Sequence, residues 1–359
     1  MKKALLAAIL ILALFLRTYR TSDFLGFWFD QGRDAKVVWD IWHAHKLTLI
    51  GPTTGIEGIF LGPFYYYLIA PAYMLGGGNP VYPAVFLAIL NVLAIYFIYK
   101  LGEEYFGQNI GLLAALITAI SRQHVSAQRW LSNPNPLPLF AVLALYSLLR
   151  RRWWLLGLSV GLSLQLEAAS AIFFLPAILL VAFIHKKKIP FIAIAFFVLT
   201  LLPQLVFNFR HQNILLNSFK RFLISEKSFQ PNLGAYNKRL SFYYSAFTEK
   251  YYISKRAMAI FAISLPVFFL LIRRKLPAVP TTTLLIWWAT PLVILLFYHG
   301  NHGYIWEYYF AGVYPAFTIL VSAIWLAVAR HVWAGRWLIA VFITGFIFQN
   351  LSYHLTFFR

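Results

Sequence analysis

The chain has 359 residues, of which 61% are hydrophobic and 12% are charged, and its mean hydropathy is +0.69. A soluble domain carries about a quarter charged residues, so the composition excludes an ordinary soluble protein. The absence of cysteine excludes disulfides, thiolate catalysis and cysteine-ligated metals. We interpret the net charge of +20 as serving membrane orientation and contact with anionic lipid headgroups. Nucleic acid is not expected as a partner, because no basic helix or RNA-binding aromatic motif accompanies the charge.

Apolar segments recur from one end of the sequence to the other, which is typical of many membrane-spanning helices. They predict an all-α polytopic membrane protein. In chain order the segments are 4–16, 59–76, 80–99, 108–120, 135–149, 153–166, 169–184, 189–207, 257–272, 281–298, 308–329 and 337–351.

Short basic clusters between these segments predict the topology, because cytoplasmic loops are enriched in Lys and Arg. The clusters are Lys2-Lys3, Arg150-Arg151-Arg152, Lys186-Lys187-Lys188, Arg273-Arg274-Lys275, and Arg330 with Arg336. All of them fall in the cytoplasm if one early segment does not cross. We select 59–76, which holds two prolines and three consecutive tyrosines, as an interfacial juxtamembrane helix. About eleven crossings remain, with the N-terminus in the cytoplasm and the C-terminus outside.

This topology divides the chain into three parts and places most acids outside. Residues 1–207 form a transmembrane module that includes a first outer loop, 17–58, and the juxtamembrane helix. Residues 208–256 form a second outer loop, and 257–359 hold the C-terminal transmembrane helices. Of the eleven Asp and Glu residues, only Glu103 and Glu104 fall on the cytoplasmic side.

The first outer loop contains an unusual concentration of charge, in the stretch FWFDQGRDAKVVWD at 27–40. A short helix is predicted from Gln31 to His45, which would place Asp30 and Asp34 on one face. One interpretation is structural: Asp30 caps the helix, and Lys36 pairs with Asp40. The other is that the two aspartates are catalytic.

Three stretches of the first half together resemble the GT-C membrane glycosyltransferases, most closely the family 39-like branch of protein O-mannosyltransferases and aminoarabinose transferases. Asp30-Gln31 stands at the position of an acidic "DE" motif, GPFYYY (62–67) at that of "PPLYYW", and NPNP (133–136) near that of "D-x-P". The resemblance covers residues 1–185 best. It implies about two juxtamembrane helices in the first outer loop and an outward-facing cavity.

The resemblance also implies the reaction, in which a sugar passes with inversion from a polyprenyl-phosphate carrier to an acceptor hydroxyl. An enzyme of this kind is a hexosyl- or pentosyltransferase of the plasma or inner membrane, with its active site on the outer face. Its partners are the lipid-linked sugar, an acceptor lipid, glycan or protein, and the bilayer. A carboxylate must take the proton of the acceptor hydroxyl, and cations must stabilise the leaving phosphate.

Site residues follow from this assignment. Asp30 and Asp34 are the expected catalytic residues, with Asp30 the base. The expected substrate-binding residues are Gln31, Arg33, Glu57, Tyr65, Tyr66, Arg129, Asn133, Asn135, Gln165, Glu167, Arg210 and His302. No cofactor is expected, and a divalent metal bound by Asp30, Asp34, Glu57, His299 and His302 stays an alternative.

The sequence departs from the family pattern at three places. Gln31 replaces the second acid, Leu61 replaces the lysine before the prolines, and Glu307-Tyr308 precedes Tyr314-Pro315 where the family often has "R-Y…P". Phosphate binding must therefore use another cation, for which Arg129 is our first candidate and Arg122, Arg210 and Lys46 are further ones. A secondary transporter is the main rival from another class, although the chain shows no internal repeat. An oligosaccharyltransferase or lipid-linked-sugar polymerase is the rival within the same fold.

Overall fold

The computed structural model describes residues 2–231, 233–299 and 303–358. Over these residues the protein is almost entirely helical, and its only β-structure is two isolated bridges, Thr53–Phe60 and Phe229–Tyr298.

Eighteen α-helices are found within the described ranges. In the first half they are α1 (Lys2–Thr18), α2 (Thr21–Phe24), α3 (Phe29–His43), α4 (Phe64–Leu75), α5 (Val81–Phe106), α6 (Gln108–Ile120), α7 (Arg122–Gln128), α8 (Leu137–Arg150), α9 (Trp153–Leu166), α10 (Ala168–Ala171), α11 (Phe174–Ile184) and α12 (Phe191–Arg210). The second half contains α13 (Ile214–Lys220), α14 (Leu233–Thr248), α15 (Lys255–Ile272), α16 (Ala278–Leu296), α17 (Tyr314–His331) and α18 (Gly335–Phe357). A π-helix, Arg221–Ser225, and two 3₁₀ helices, Arg273–Lys275 and Glu307–Phe310, complete the set.

Six of the described helices are long and apolar enough to cross a membrane: α5, α12, α15 with its 3₁₀ extension, α16, α17 and α18. The pair α6–α7, bent by 62°, would make a seventh. Shorter apolar helices cover Leu137–Arg150, Trp153–Leu166 and Ala168–Ile184. The all-α polytopic architecture is confirmed, and the count of about eleven crossings stays a prediction.

Helix α4 lies in the predicted segment 59–76 and is too short to cross. Its 12 residues extend about 18 Å, against about 30 Å for a bilayer core. The turn that follows α4 lies against α3, since a Cβ atom added to Gly78 would stand 3.3 Å from the Trp39 ring. Helices α3 and α4 therefore pack together at one end of the bundle, which we call the loop face.

The bend between α6 and α7 is held by a buried arginine. Where the helix breaks, backbone carbonyls lose their intrahelical hydrogen-bond donors. Arg17 of α1 replaces these donors for the carbonyls of Thr118 and Ala119, each at 2.9 Å. Its Nε donates to Gln128 Oε1 at 2.7 Å. The α6–α7 bend directs the following loop, 129–136, towards the loop face.

Two glycines set the closest packing between helices. A Cβ on Gly157 would lie 2.0 Å from the carbonyl oxygen of Ala193, and one on Gly161 would lie 1.9 Å from Thr200 Oγ1. Their spacing of four residues puts both on one face of α9, so that α12 approaches its backbone directly, as small residues allow in membrane helices.

The segment 208–256, predicted as a loop, is largely helical. Helix α13, the π-helix and α14 cover it, and Arg239 of α14 donates to the backbone carbonyl of Tyr298 at 2.9 Å. Aromatic side chains of this segment and of the loop after α16 meet at Phe222, Phe229 and Tyr298. The segment thus forms a cover over the loop face.

Candidate active site

A cavity of about 570 Å³ opens between the bundle and its cover at the loop face. Its walls come from α3, the loops 52–61 and 130–135, α10, the π-helix and the 3₁₀ helix Glu307–Phe310. The polar side chains of its lining include Asp30, Arg33, Thr53, Thr54, His124, Gln128, Asn133, Asn135, Glu167, Lys250, Glu307 and Tyr308. Apolar side chains such as Ile59, Leu61, Ile98, Ile172, Phe219 and Leu295 alternate with them. The site therefore combines charged groups with apolar walls.

On α3, Arg33 joins the two predicted catalytic carboxylates. Its guanidinium lies 2.8 Å from Asp30 Oδ1 and 2.8 Å from Asp34 Oδ1. The two carboxylates differ in exposure: the Asp30 side chain is 66% exposed and lines the cavity, whereas that of Asp34 is 4% exposed and lies behind it. Asp30 can meet a substrate directly, and Asp34 orients Arg33.

The interpretation of Asp30 as the helix cap is wrong. Helix α3 begins at Phe29, its N-cap is Trp28, and the Gln31 side chain accepts a hydrogen bond from the Trp28 N–H at 3.0 Å. The predicted bounds, Gln31 to His45, were shifted towards the C-terminus by two residues. Gln31 makes the side-chain hydrogen bond at the N-terminus of α3, so the Asp30 carboxylate has no capping role.

Burial raises the pKa of Asp34, and the adjacent Arg33 opposes this rise. Tyr66 of α4 lies beside both groups, and the Asp34 charge together with burial raises the pKa of its phenol. Tyr65, one residue earlier, is fully buried and its hydroxyl has no partner among the described residues. The tyrosine run of the "PPLYYW"-like motif thus packs behind the α3 charges instead of lining the cavity.

Glu167 enters the cavity from the break between α9 and α10. Its Oε1 accepts from the Ala169 N–H at 3.1 Å, which caps α10, and its Oε2 faces Asn133 Nδ2 at 3.3 Å. Burial raises the pKa of Glu167 from its ordinary 4.5 to about 7, although both hydrogen bonds oppose the shift. This carboxyl group is therefore poised to change charge near neutral pH.

Tyr308 lies near two of the three acids that line the cavity, Glu167 and Asp30. Burial raises the pKa of its phenol, and so do the nearby carboxylates of Glu167 and Asp30. Asp30 from α3, Glu167 from the α9–α10 break and Tyr308 from the 3₁₀ helix all line the cavity.

A second charged pair lines the cavity and was not predicted. Lys250, between α14 and α15, donates to Glu307, and its ammonium lies 4.4 Å from the centroid of the Tyr314 ring. Burial lowers the pKa of Lys250, and Glu307 opposes this. The sequence offered one signal, the Glu307-Tyr308 departure from the "R-Y…P" pattern, whereas nothing local distinguishes Lys250 from the other basic residues of 208–256.

Several predicted substrate-binding residues support the walls from behind. Asn135 donates to the carbonyls of Gln128 and Trp130, at 2.9 and 2.6 Å, and so shapes the loop while also lining the cavity. Gln165 accepts from the Phe64 N–H at 3.0 Å and donates to the Thr200 carbonyl. Gln31 donates to the Leu131 carbonyl at 2.8 Å. Their amides connect α3, α4 and α12 to the loops of the site.

The remaining predicted residues lie away from the cavity. Arg129 donates to the carbonyls of Leu16 and Tyr19, each at 2.9 Å, and does not line the cavity. Glu57 is exposed beside Arg221, and Arg210 is exposed at the end of α12. His302 lies outside the described residues. Of the predicted set, the cavity brings together Asp30, Arg33, Asn133, Asn135 and Glu167.

Across residues 2–231, 233–299 and 303–358, no three His, Asp or Glu side chains are placed to hold one metal ion. Asp30 and Asp34 are both engaged by Arg33, and Glu57 points elsewhere. The predicted ligand set is therefore not assembled among the described side chains.

Part of the sequence matches a known family, and the fold resembles solved structures. Residues 61–207, fewer than half of the chain, match the family of dolichyl-phosphate-mannose-protein mannosyltransferases. No curated protein matches the sequence significantly. ArnT from Cupriavidus metallidurans bound to undecaprenyl phosphate is similar in structure, with a TM-score of 0.61 and 14% identity over 94% of this chain and 60% of ArnT.

The archaeal oligosaccharyltransferase AglB from Archaeoglobus fulgidus, in complex with an inhibitory peptide and a dolichol-phosphate, gives a TM-score of 0.61. The identity is 14%, over 98% of this chain and 55% of AglB. The chain has the GT-C fold. It is a multi-pass membrane protein, and the predicted resemblance to GT-C glycosyltransferases is confirmed. It spans 55–60% of the length of these two structures.

Proposed function

We propose that this GT-C protein is an inverting glycosyltransferase, which moves a sugar from a polyprenyl-phosphate donor to an acceptor hydroxyl. The observation that carries the proposal is the cavity at the loop face, where Asp30, Glu167, Arg33 and Lys250 meet between apolar walls. A lipid-linked sugar needs this combination, because its reacting centre is polar and its carrier is apolar.

Asp30 is the proposed general base. The acceptor oxygen attacks the anomeric carbon and forms the new glycosidic bond, while the bond between that carbon and the phosphate oxygen breaks. The proton of the acceptor hydroxyl passes to the Asp30 carboxylate, and the polyprenyl phosphate leaves with both bonding electrons. Attack opposite to the leaving group inverts the configuration. A positioned carboxylate of this kind contributes about 10²–10⁴-fold to rate.

Arg33 holds this base in place. With one guanidinium it bridges Asp30 and the buried Asp34, so the orientation of Asp30 is tied to the rigid α3–α4 pair. The Asp30 side chain nevertheless keeps two thirds of its surface exposed and can accept a proton. Asp34 is thus a positioning residue, and Asn133 and Glu167 line the same cavity as Asp30.

The proposal includes an orientation. The short basic clusters of the sequence support a loop face outside the cytoplasm and an N-terminus inside. The donor would then reach the cavity from the outer leaflet of the plasma or inner membrane. The acceptor class is a lipid, glycan or protein hydroxyl.

Mass spectrometry of the lipids that co-purify with the detergent-solubilised protein tests the donor class. We expect a polyprenyl phosphate or its glycosylated form, and transfer of its sugar to added acceptor in the same preparation. Substrate flux in proteoliposomes, with no bound polyprenyl lipid and no transfer, would instead establish the transporter alternative.

A further inference from the structure

The ion pair Lys250–Glu307 has no place in the general-base step, yet it lines the same cavity. The Lys250 side chain is 2% exposed, and burying an ammonium group is costly unless acceptors surround it. An ammonium has three N–H donors. Among the described residues, only the Glu307 carboxylate accepts a hydrogen bond from this ammonium group. The Tyr314 ring covers another side of it. Lys250 therefore has donor capacity left for an oxygen-rich anion.

The His124 side chain is independent evidence for a ligand that binds beside Lys250. Its imidazole is 94% buried, lines the cavity and packs edge-to-face on Tyr314 with ring centroids 5.5 Å apart. Its Nε2 has no hydrogen-bond partner in the described part of the chain. A buried polar atom is nearly always hydrogen-bonded, so an unpartnered one at a cavity wall indicates a group that is bound in use.

Glu307 differs from its partner in being able to leave. Its side chain is 43% exposed, whereas Lys250 is fixed between α14 and α15, where its carbonyl accepts from Ser121 Oγ at 2.7 Å. An incoming anion can replace the Glu307 carboxylate without moving the ammonium.

Leu61 is buried and lines the cavity without a charge, so this part of the wall supplies no cation. Arg129 does not supply one either, because it lies outside the cavity lining and its guanidinium donates to the carbonyls of Leu16 and Tyr19.

We propose that Lys250, with His124 beside it, binds the phosphate group of the lipid-linked donor, and that Glu307 is the resident counter-ion which this phosphate displaces. The assignment rests on the proposed function and names the part of the site that holds the leaving group. Lys250 then neutralises the charge that grows on the phosphate as the bond to the sugar breaks.

Binding of undecaprenyl phosphate and of undecaprenol to the full-length protein in detergent tests the assignment. Lys250→Met should weaken binding of the phosphate lipid roughly 10–100-fold, as expected for loss of a charge-assisted contact, and should leave binding of undecaprenol unchanged. Lys36→Met is the matched control, since it removes an exposed lysine of α3 outside the cavity. It should bind both lipids like the wild type.

For Glu307→Gln we expect the opposite effect on binding of the phosphate lipid. This variant also tests the proposal if Lys250→Met fails to fold. Removing the competing carboxylate should tighten binding of the phosphate lipid. If the pair only braces the fold, Glu307→Gln will weaken binding or leave it unaltered, and that result overturns the assignment. Wild-type affinity in Lys250→Met would overturn it as well, with the proposed function intact. A wild-type protein that does not distinguish the phosphate lipid from undecaprenol would overturn both.

Discussion

The two charged clusters at the cavity hold their charges in different ways. On α3, Arg33 joins one exposed and one buried carboxylate within a single turn. Elsewhere in the lining of the cavity, Lys250 is buried and its partner Glu307 comes from an element 57 residues away in the sequence. The first cluster keeps a carboxylate accessible, and the second keeps a cation away from water.

This difference suits two separate tasks. A base must exchange a proton with an acceptor that enters and leaves, so access matters more than a strong local field. A phosphate site must hold a charge firmly, and electrostatic attraction is stronger where water is excluded. The comparison indicates that the α3 side handles the acceptor and the Lys250 side handles the leaving group.

Removing the accessible carboxylate of Asp30 should have the largest effect on sugar-transfer activity. Asp30→Asn retains the size of the side chain and its contact with Arg33 but cannot take a proton. We expect the turnover of sugar transfer to fall roughly 10²–10⁴-fold, with binding of the phosphate lipid preserved. Single-turnover assays with purified protein measure the first effect and equilibrium binding measures the second.

Asp40→Asn is the matched control for Asp30, since it removes a carboxylate from the same helix outside the cavity. Its turnover should equal that of the wild type. Equal turnover in Asp30→Asn would exclude the base assignment and leave Glu167 as the carboxylate to examine.

The α3 cluster could be predicted from the sequence because its members are close neighbours. Spacing of three or four residues is enough to place Asp30, Arg33 and Asp34 together once a helix is assumed. The helices themselves follow the apolar segments within a few residues, for example α6 at 108–120 and α9 at 153–166. Local periodicity determines such elements.

Long-range pairs could not be predicted in this way. No spacing connects Lys250 with Glu307, or Arg17 with the carbonyls of α6, because the packing of distant helices decides both. The same reason accounts for Arg129, which was expected to bind phosphate: its guanidinium donates to the carbonyls of Leu16 and Tyr19, which lie more than a hundred residues earlier.

Glu167 should make stability depend on pH across a defined window. Its pKa is raised in the folded protein to about 7, whereas an unfolded chain has the ordinary 4.5. Between these values the unfolded state loses its proton first, so the free energy of unfolding falls as pH rises. The full loss, on the order of 3 kcal/mol, is reached above pH 7, and below pH 4.5 there is none.

Glu167→Gln removes this titration. Thermal unfolding at pH 5 and at pH 8 should show the variant gaining stability relative to the wild type as pH rises. Glu57→Gln, which changes an exposed carboxyl group, should keep the wild-type slope. An unchanged slope in Glu167→Gln would mean that Glu167 is ionised throughout this range and that its burial is compensated.

The pair Arg33–Asp34 should show a measurable coupling, because Asp34 is buried and both groups are in direct contact. A double-mutant cycle with Arg33→Met and Asp34→Asn should give a coupling free energy of roughly 1–3 kcal/mol in unfolding experiments. Arg33→Met leaves the buried Asp34 without its counter-charge and Asp34→Asn leaves Arg33 with Asp30 alone, whereas the double variant removes both members of the pair. Additive effects would show that Arg33 is held by Asp30 alone.

The ion pair Lys36–Asp40 should give the smallest coupling free energy, and it serves as the reference for the pair Arg33–Asp34. This pair lies on the same helix, four residues apart, with Nζ and Oδ2 separated by 3.1 Å and the lysine exposed to solvent. Water screens the attraction, and ordering two long side chains costs entropy, so a cycle with Lys36→Met and Asp40→Asn should give only about 0.3–0.5 kcal/mol. In 1 M salt the screening length is about 3 Å and this coupling should vanish, while that of Arg33–Asp34 should largely persist. If both couplings vanish together, the α3 charges are equally open to solvent, and burial of Asp34 cannot be what holds Arg33 towards the cavity.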